Sequence, residues 1–223
     1  MQINSIPGLR AIIFDFDGLI VDTETVIYES WNEVYCANGE SLELETYKQC
    51  VGSDFGQFNP ETELEFRTRK TFDWSTINYE REKLIQQRLE AQDARPGVRK
   101  FIENARAKGL ELAVASSAPG SWVAGWLIKL DLLKHFSVLR CGDDVEQIKP
   151  YPDLFLAAAS ALKIPPGDSL VMEDSENGLR AAKAAGMPCV IVTNPVTAGG
   201  QFNGALLVVE CFTEDSINNL ILG

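Results

Sequence analysis

Two acids, Asp15 and Asp17, stand one residue apart at the end of the apolar run Ala11-Ile-Ile-Phe14, and Gly18 follows at once. A strand alternates its side chains, so both carboxylates leave it on the same side. The glycine lets the chain turn sharply behind them. Like charges held this close repel, and folding alone has no use for the pair. Their chemistry is that of a metal site or of a reaction. A plain acidic turn is the ordinary alternative. An EF-hand loop fails, because its fifth and twelfth positions would be Leu19 and Val26, neither of them an oxygen ligand.

Three further polar groups follow apolar runs in the same way. Ser116 and Ser117 come directly after Leu110–Ala115 and precede Ala118-Pro119-Gly120, where proline can open a helix. Hydroxyls and backbone N–H groups at a helix N-terminus suit a phosphate. Lys149 sits in the proline-stiffened loop Ile148-Lys-Pro-Tyr-Pro-Asp153, and Glu173-Asp174 end the run Ser169–Met172 just before a helix capped at Ser175. Each has an ordinary reading alone: the serines, Glu173 and Asp174 as caps, Lys149 as a solvated charge, Asp143-Asp144 as a solvated turn. Taken in order, acid pair, serine, Lys-Pro and acid pair, each behind a strand-like run, form a series that chance rarely produces.

The elements that would position these groups follow from periodicity. Val26, Ile27, Trp31, Val34 and Tyr35 recur at helical spacing, which predicts a helix from Asp22 or Thr23 to about Asn38-Gly39. Further helices are expected over Leu42–Val51 and Thr76–Gln92; the region Phe55–Trp74 between them mixes aromatics, charges and Pro60. After the break Arg95-Pro96-Gly97 the pattern becomes regular. Helices are expected over Val98–Ala107, Ser121–Leu130, Leu154–Leu162, Gly178–Ala185 and Glu214–Leu222. They alternate with strands over Leu110–Ala115, Phe136–Cys141, Ser169–Met172, Cys189–Val192 and Leu206–Cys211. Such alternation predicts an α/β protein with a doubly wound, Rossmann-like parallel sheet. About ninety residues separate the first two strands, far more than the dozen or so plus a helix that a crossover needs. The excess predicts a small all-helical cap, residues 23–92, inserted into a core made of 1–22 and 93–223. In open α/β sheets ligands bind beyond the carboxyl ends of the strands, so all four groups converge there.

Composition limits the partners. With 45% hydrophobic and 23% charged residues in 223, the chain reads as a soluble globule, and a net charge of −12 with no basic block argues against nucleic acid or an anionic membrane. The five scattered cysteines, none in a C-x-x-C pair, fit the reducing cytoplasm. One histidine, His135, is too few for a His-rich zinc site and makes a Ser-His triad improbable. No signal-peptide core and no apolar run of spanning length is present. A cytoplasmic protein, with monomer as the default oligomeric state, is the expectation.

Asp15-Phe-Asp-Gly-Leu-Ile-Val-Asp-Thr-Glu24, Ser116, Lys149-Pro150 and Glu173-Asp174-Ser175-x-x-Gly178 resemble the four motifs of the haloacid dehalogenase-like hydrolases. The subgroup resembled is the phosphatases and β-phosphoglucomutases with a helical cap after the first motif. That resemblance implies a Mg²⁺-dependent phosphatase acting on a small sugar or nucleotide-derived phosphate. Asp15 would be the nucleophile and Asp17 the acid–base. Gly18, Ser116, Ser117 and Lys149 would bind the phosphoryl group. Mg²⁺ would be held by Asp15 and Asp174 with the backbone carbonyl of Asp17, and Glu173 in or near the same shell. Four carboxylates around a dianion with one lysine independently call for a cation. Glu24, Trp31, Gly52, Phe55, Trp74 and Tyr79 are the candidates to line the cap side. Mutases of the group carry a basic pair in the cap and a histidine soon after the first motif. Here Cys50–Gly56 holds no Lys or Arg and Tyr28–Glu33 no His, against mutase chemistry. Asp17 argues against a dehalogenase. A catalytically silent binding protein is the reading from another class, opposed by the full set of motif residues.

Overall fold

The apolar runs that precede the polar groups become the centre of a parallel sheet. In the computed structural model, which describes residues 6–52 and 58–222, the strands are β1 (Ala11–Phe14), β2 (Glu111–Ala115), β3 (Val138–Arg140), β4 (Ser169–Glu173), β5 (Cys189–Val192) and β6 (Leu207–Val209). Their order is β3-β2-β1-β4-β5-β6, and every pair is parallel. Phe14 lies opposite Val114 on one side and Met172 on the other, so the segments after β1, β2 and β4 emerge together.

Alternation assigns each strand residue to a layer. Ile12, Phe14, Leu112, Val114, Leu170, Met172, Val190 and Val192 face α5 (Val98–Ala107), α6 (Gly120–Lys129) and α9 (Asp215–Leu222). Ile13, Ala113, Ala115, Val171, Cys189 and Ile191 face α7 (Asp153–Leu162) and α8 (Glu176–Ala184). Val98, Phe101, Ile102 and Ala105 show the spacing of a helix that buries one stripe. Phe14 meets Phe101 and Phe136 edge to face, with centroids 6.0 and 5.7 Å apart. Burying such a ring is worth roughly 1.5–3 kcal/mol. The expected three-layer α/β architecture is what forms, and the second half of the chain follows the expected alternation closely.

Between β1 and β2 run α1 (Thr23–Ala37), α2 (Leu44–Tyr47), α3 (Pro60–Thr68) and α4 (Trp74–Leu89). They bury a cluster of their own, which includes Trp31, Tyr35, Leu42, Tyr47, Phe58 and Leu64. Asp22 caps α1 by accepting from the Thr25 N–H at 3.2 Å. One expectation needs correction here. The helix expected over Leu42–Val51 is the single turn α2 followed by a tighter 3-10 turn, Lys48–Cys50. Tyr47 and Cys50, three residues apart, share a face in that tighter coil and both enter the buried cluster. The mixed region around Pro60, for which the sequence pattern predicts no element, contains α3. Its start was written in Asn59-Pro60: the Asn59 side chain accepts from the N–H groups of Glu61 and Thr62, and Pro60 needs no donor partner in a first turn. Among the described residues no helix is long and apolar enough to cross a membrane.

Candidate active site

The sheet delivers the four groups to one place. The Asp15 N–H bonds the Met172 carbonyl at 2.9 Å, extending the ladder one residue past β1 and fixing the carboxylate at the strand tip. Lys149, 1% exposed, reaches in from the loop before α7. Its ammonium contacts Asp15 Oδ1 and lies 2.7 Å from Glu173 Oε1. A buried lysine between two carboxylates satisfies charges that neither acid could hold alone. Glu173 Oε2 accepts from the backbone N–H groups of Asp174 and Ser175 and from the Ser175 hydroxyl, at 2.9, 3.0 and 2.9 Å. Both oxygens of Glu173 are thus engaged, and its contacts hold Lys149 and the turn into α8. Ser175 in turn caps α8 by accepting from the Gly178 N–H at 3.0 Å.

Two glycines make this packing possible. Gly18 has φ 76°, and a Cβ there would fall 2.3 Å from Asp174 Oδ2. A Cβ at Gly178 would fall 1.8 Å from the carboxyl carbon of Glu173. Gly18 is therefore a spacer under the acid cluster, and Gly178 clears the room in which Glu173 lies.

Carboxylate oxygens of Asp15, Glu173 and Asp174 lie within 4.8 Å of one another. Burial pushes Asp15 up to about 8; Lys149 opposes the shift, and Glu173 and Asp17 add to it. Burial, followed by Glu173 and Asp15, raises Asp174 well above the usual carboxylate range. Burial alone would lower Lys149, but Asp15 and Glu173 outweigh it and hold the ammonium above its usual range. The cluster is therefore short of positive charge, and its donors are all hard oxygens. A small divalent cation such as Mg²⁺ fits that set.

Asp17 stands apart from the clustered oxygens. Its Oδ1 accepts from the Thr23 hydroxyl at 2.8 Å and from the Trp122 indole at 3.0 Å. Burial raises its pKa, and those two bonds act against the rise. A cavity of about 320 Å³ opens above Asp15, Asp17 and Ser116. Ser116 is buried, and its Oγ accepts from the Ala118 N–H at 3.1 Å. The Ser117 hydroxyl instead donates to the Gly52 carbonyl at 3.3 Å, joining the sheet end to the inserted helices. Neither serine caps α6, whose N-cap is Pro119. Asp143 accepts from the Gly120 N–H and Asp144 from the Cys141 N–H, so that acid pair organises a turn.

On the helical side the cavity is lined by Glu24, Ile27, Tyr47, Cys50 and Gly52. Burial, then Asp17 and Asp15, pushes Glu24 up to about 8. Of the residues expected to line this side, Glu24 and Gly52 do. Trp31 and Trp74 pack against each other within the helical cluster, centroids 6.1 Å apart. Tyr79 is 65% exposed on α4, and Phe55 lies outside the described residues. Sequence reasoning missed Asn194 and Arg95. The Asn194 side chain donates to Asp174 Oδ2 at 2.6 Å and to the Gly18 carbonyl at 3.1 Å. Arg95 donates to the carbonyls of Gly18 and Val192, at 2.7 and 3.3 Å.

The haloacid dehalogenase-like hydrolase family matches residues 12–192, a span that contains Asp15, Asp17, Ser116, Lys149, Glu173 and Asp174. The chain belongs to that family. Among curated relatives of this hydrolase, YhcW of Bacillus subtilis is 42% identical over 194 residues, covering 87% of this chain and 88% of that one. The phosphorylated carbohydrates phosphatase of Thermotoga maritima is 30% identical over 187 residues, covering 80% and 82%. A crystal structure of CbbY from Rhodobacter sphaeroides in complex with phosphate matches with a TM-score of 0.70 at 28% identity, over 92% of this chain and 96% of that one.

Proposed function

We propose that this hydrolase is a Mg²⁺-dependent phosphatase that cleaves a small phosphomonoester, a sugar or nucleotide-derived phosphate, through an aspartyl-phosphate on Asp15. The observation that carries the reading is the buried Lys149 ammonium shared by Asp15 and Glu173 at the strand tips. It places a fixed positive charge beside a carboxylate that opens onto a cavity. The family membership and the phosphatase name of the Thermotoga relative support the same chemistry. A volume of about 320 Å³ suits a small ligand.

The roles follow from position. Asp15 attacks phosphorus while Lys149 and the Ser116 hydroxyl hold phosphoryl oxygens. Asp17 gives a proton to the departing alcohol and later takes one from the water that cleaves the acyl-phosphate. Gly18 and Ser117 belong to the loops that border the phosphoryl group. Asp15 and Asp174, with the carbonyl of Asp17, would hold Mg²⁺, and Asn194 orients Asp174. The bound ion would neutralise charge on both the carboxylates and the phosphoryl oxygens. Residues 23–92 act as a cap that closes over the cavity and selects the alcohol. Phosphate release from p-nitrophenyl phosphate and a panel of sugar, nucleotide and glycolytic monophosphates tests the reading. Release that needs Mg²⁺ and stops with chelator is expected. A purified, folded protein that releases phosphate from none of them would overturn it.

A further inference from the structure

Thr23 and Trp122 converge on one oxygen of Asp17 from two different parts of the molecule. Thr23 is the first residue of α1, at the entry to the inserted helices, and its hydroxyl also accepts from the Gly18 N–H at 3.2 Å. Trp122 lies in the first turn of α6, and its indole packs edge-on against Trp126 with centroids 5.9 Å apart. The same indole lines the cavity wall beside Asp17. An indole N–H is a donor only, so it neither gives nor takes the proton of a phosphoryl transfer. A carboxyl oxygen that accepts two hydrogen bonds has both lone pairs in use, and the acid proton is left to the other oxygen.

From this we infer that Trp122 is a positioning residue for the acid–base step: its indole N–H, with the Thr23 hydroxyl, pins Asp17 Oδ1 and so confines the transferable proton to Oδ2. This rests on the proposed phosphatase chemistry. In the first half-reaction a bond forms between Asp15 and phosphorus as the bond from phosphorus to the ester oxygen breaks. The proton on Asp17 Oδ2 passes to that oxygen, which leaves as the neutral alcohol. In the second half a water attacks phosphorus and gives one proton to Oδ2, as the bond from phosphorus to Asp15 breaks, freeing the carboxylate and releasing phosphate. A carboxyl group free to rotate would share its proton between two oxygens and lose the alignment.

Leaving-group dependence reads this role directly. Trp122→Phe keeps the aromatic body and removes only the N–H. With kcat/KM as the measure, the variant should lose about tenfold or more on an alkyl phosphate, whose alcohol must be protonated to leave. On p-nitrophenyl phosphate, whose phenolate leaves unaided, the loss should stay within about threefold. An equal loss on both would mean that Trp122 only shapes the wall, and would overturn the inference. Asp15→Asn, which should silence both substrates, checks the phosphatase reading separately. A second measurement needs no activity. In ¹⁵N-tryptophan spectra of the Asp17→Ala protein, the Trp122 indole N–H should shift and exchange with solvent faster than in the parent. An unchanged resonance would show that the hydrogen bond does not exist.

Discussion

The two halves of the cavity are built from different materials. Its floor, with Asp15, Asp17 and Ser116 at the surface, rests on a buried polar network in which Lys149, Glu173, Ser175 and Asn194 each bind at least one named partner. Among the described residues its roof, supplied by the inserted segment, is Ile27, Tyr47, Cys50 and Gly52 with one carboxylate, Glu24. A saturated polar network has one geometry, whereas an apolar wall is set by shape and tolerates exchange. On the proposed chemistry the floor fixes which bond is broken, and the roof decides which molecule is admitted. Changes in the floor should lower activity on every substrate, and changes in the roof should reorder the substrates.

The largest effect expected is at Asp15. Asp15→Asn removes the proposed nucleophile and should reduce turnover by about 10⁴-fold or more on all phosphomonoesters. Activity within tenfold of the parent would place the nucleophile elsewhere. Lys149→Met should follow, with kcat/KM down roughly 10²- to 10³-fold. It also leaves Asp15 and Glu173 facing each other in the interior, and breaking such a pair costs about 3–5 kcal/mol. Asp15, raised by burial to about 8, takes up a proton below that pH and so relieves the repulsion, and the stability lost in the metal-free protein should be smaller at pH 5 than at pH 8. Urea titrations at the two pH values check this, and a pH-independent loss would count against the shared ammonium.

The same division explains what the sequence could reveal. Asp15, Ser116 and Asp174 were legible because each stands at the end of an apolar run, and Lys149 because it stands in a proline-stiffened loop between a strand and a helix; a parallel sheet collects the carboxyl ends of its strands at one edge. Asn194 and Arg95 were not. Asn194 looks like an ordinary turn residue after β5, and its bond to Asp174 depends on how far β5 lies from β4. Arg95 before Pro96-Gly97 reads as a loop break, yet its guanidinium reaches carbonyls at both Gly18 and Val192. In the inserted helices an aromatic at helical spacing says only that it will be buried. Trp31 went to the helical cluster, while Tyr47 went to the cluster and the cavity at once. Which of two apolar surroundings a ring meets is a property of helix packing, and periodicity does not carry it.

The roof gives the next smaller effect. Tyr47→Ala should lower kcat/KM for the preferred substrate about tenfold and leave p-nitrophenyl phosphate within about threefold, so the ranking of a substrate panel changes. A uniform loss across the panel would mean that Tyr47 supports the floor, and the contrast between the halves would fail at that position.

Among the described roof residues Glu24 is the one whose chemistry resembles the floor, and it gives the smallest and most specific test. Its pKa is raised to about 8 from an ordinary value of 4.5, first by burial and then by Asp17 and Asp15. The folded protein therefore holds a proton on Glu24 that the unfolded chain releases once the pH exceeds about 4.5. Native protein binds more protons than unfolded protein between the two values, so this group lowers stability progressively as pH rises from about 4.5 to 8. Glu24→Gln removes the ionisation and keeps the shape. In the metal-free protein the variant should match the parent near pH 4.5 and exceed it by roughly 1–3 kcal/mol at pH 8. Denaturant midpoints across that range measure it. A variant that loses stability at pH 8 would mean that the Glu24 carboxylate is held by a favourable partner, and the roof would then be a second polar network.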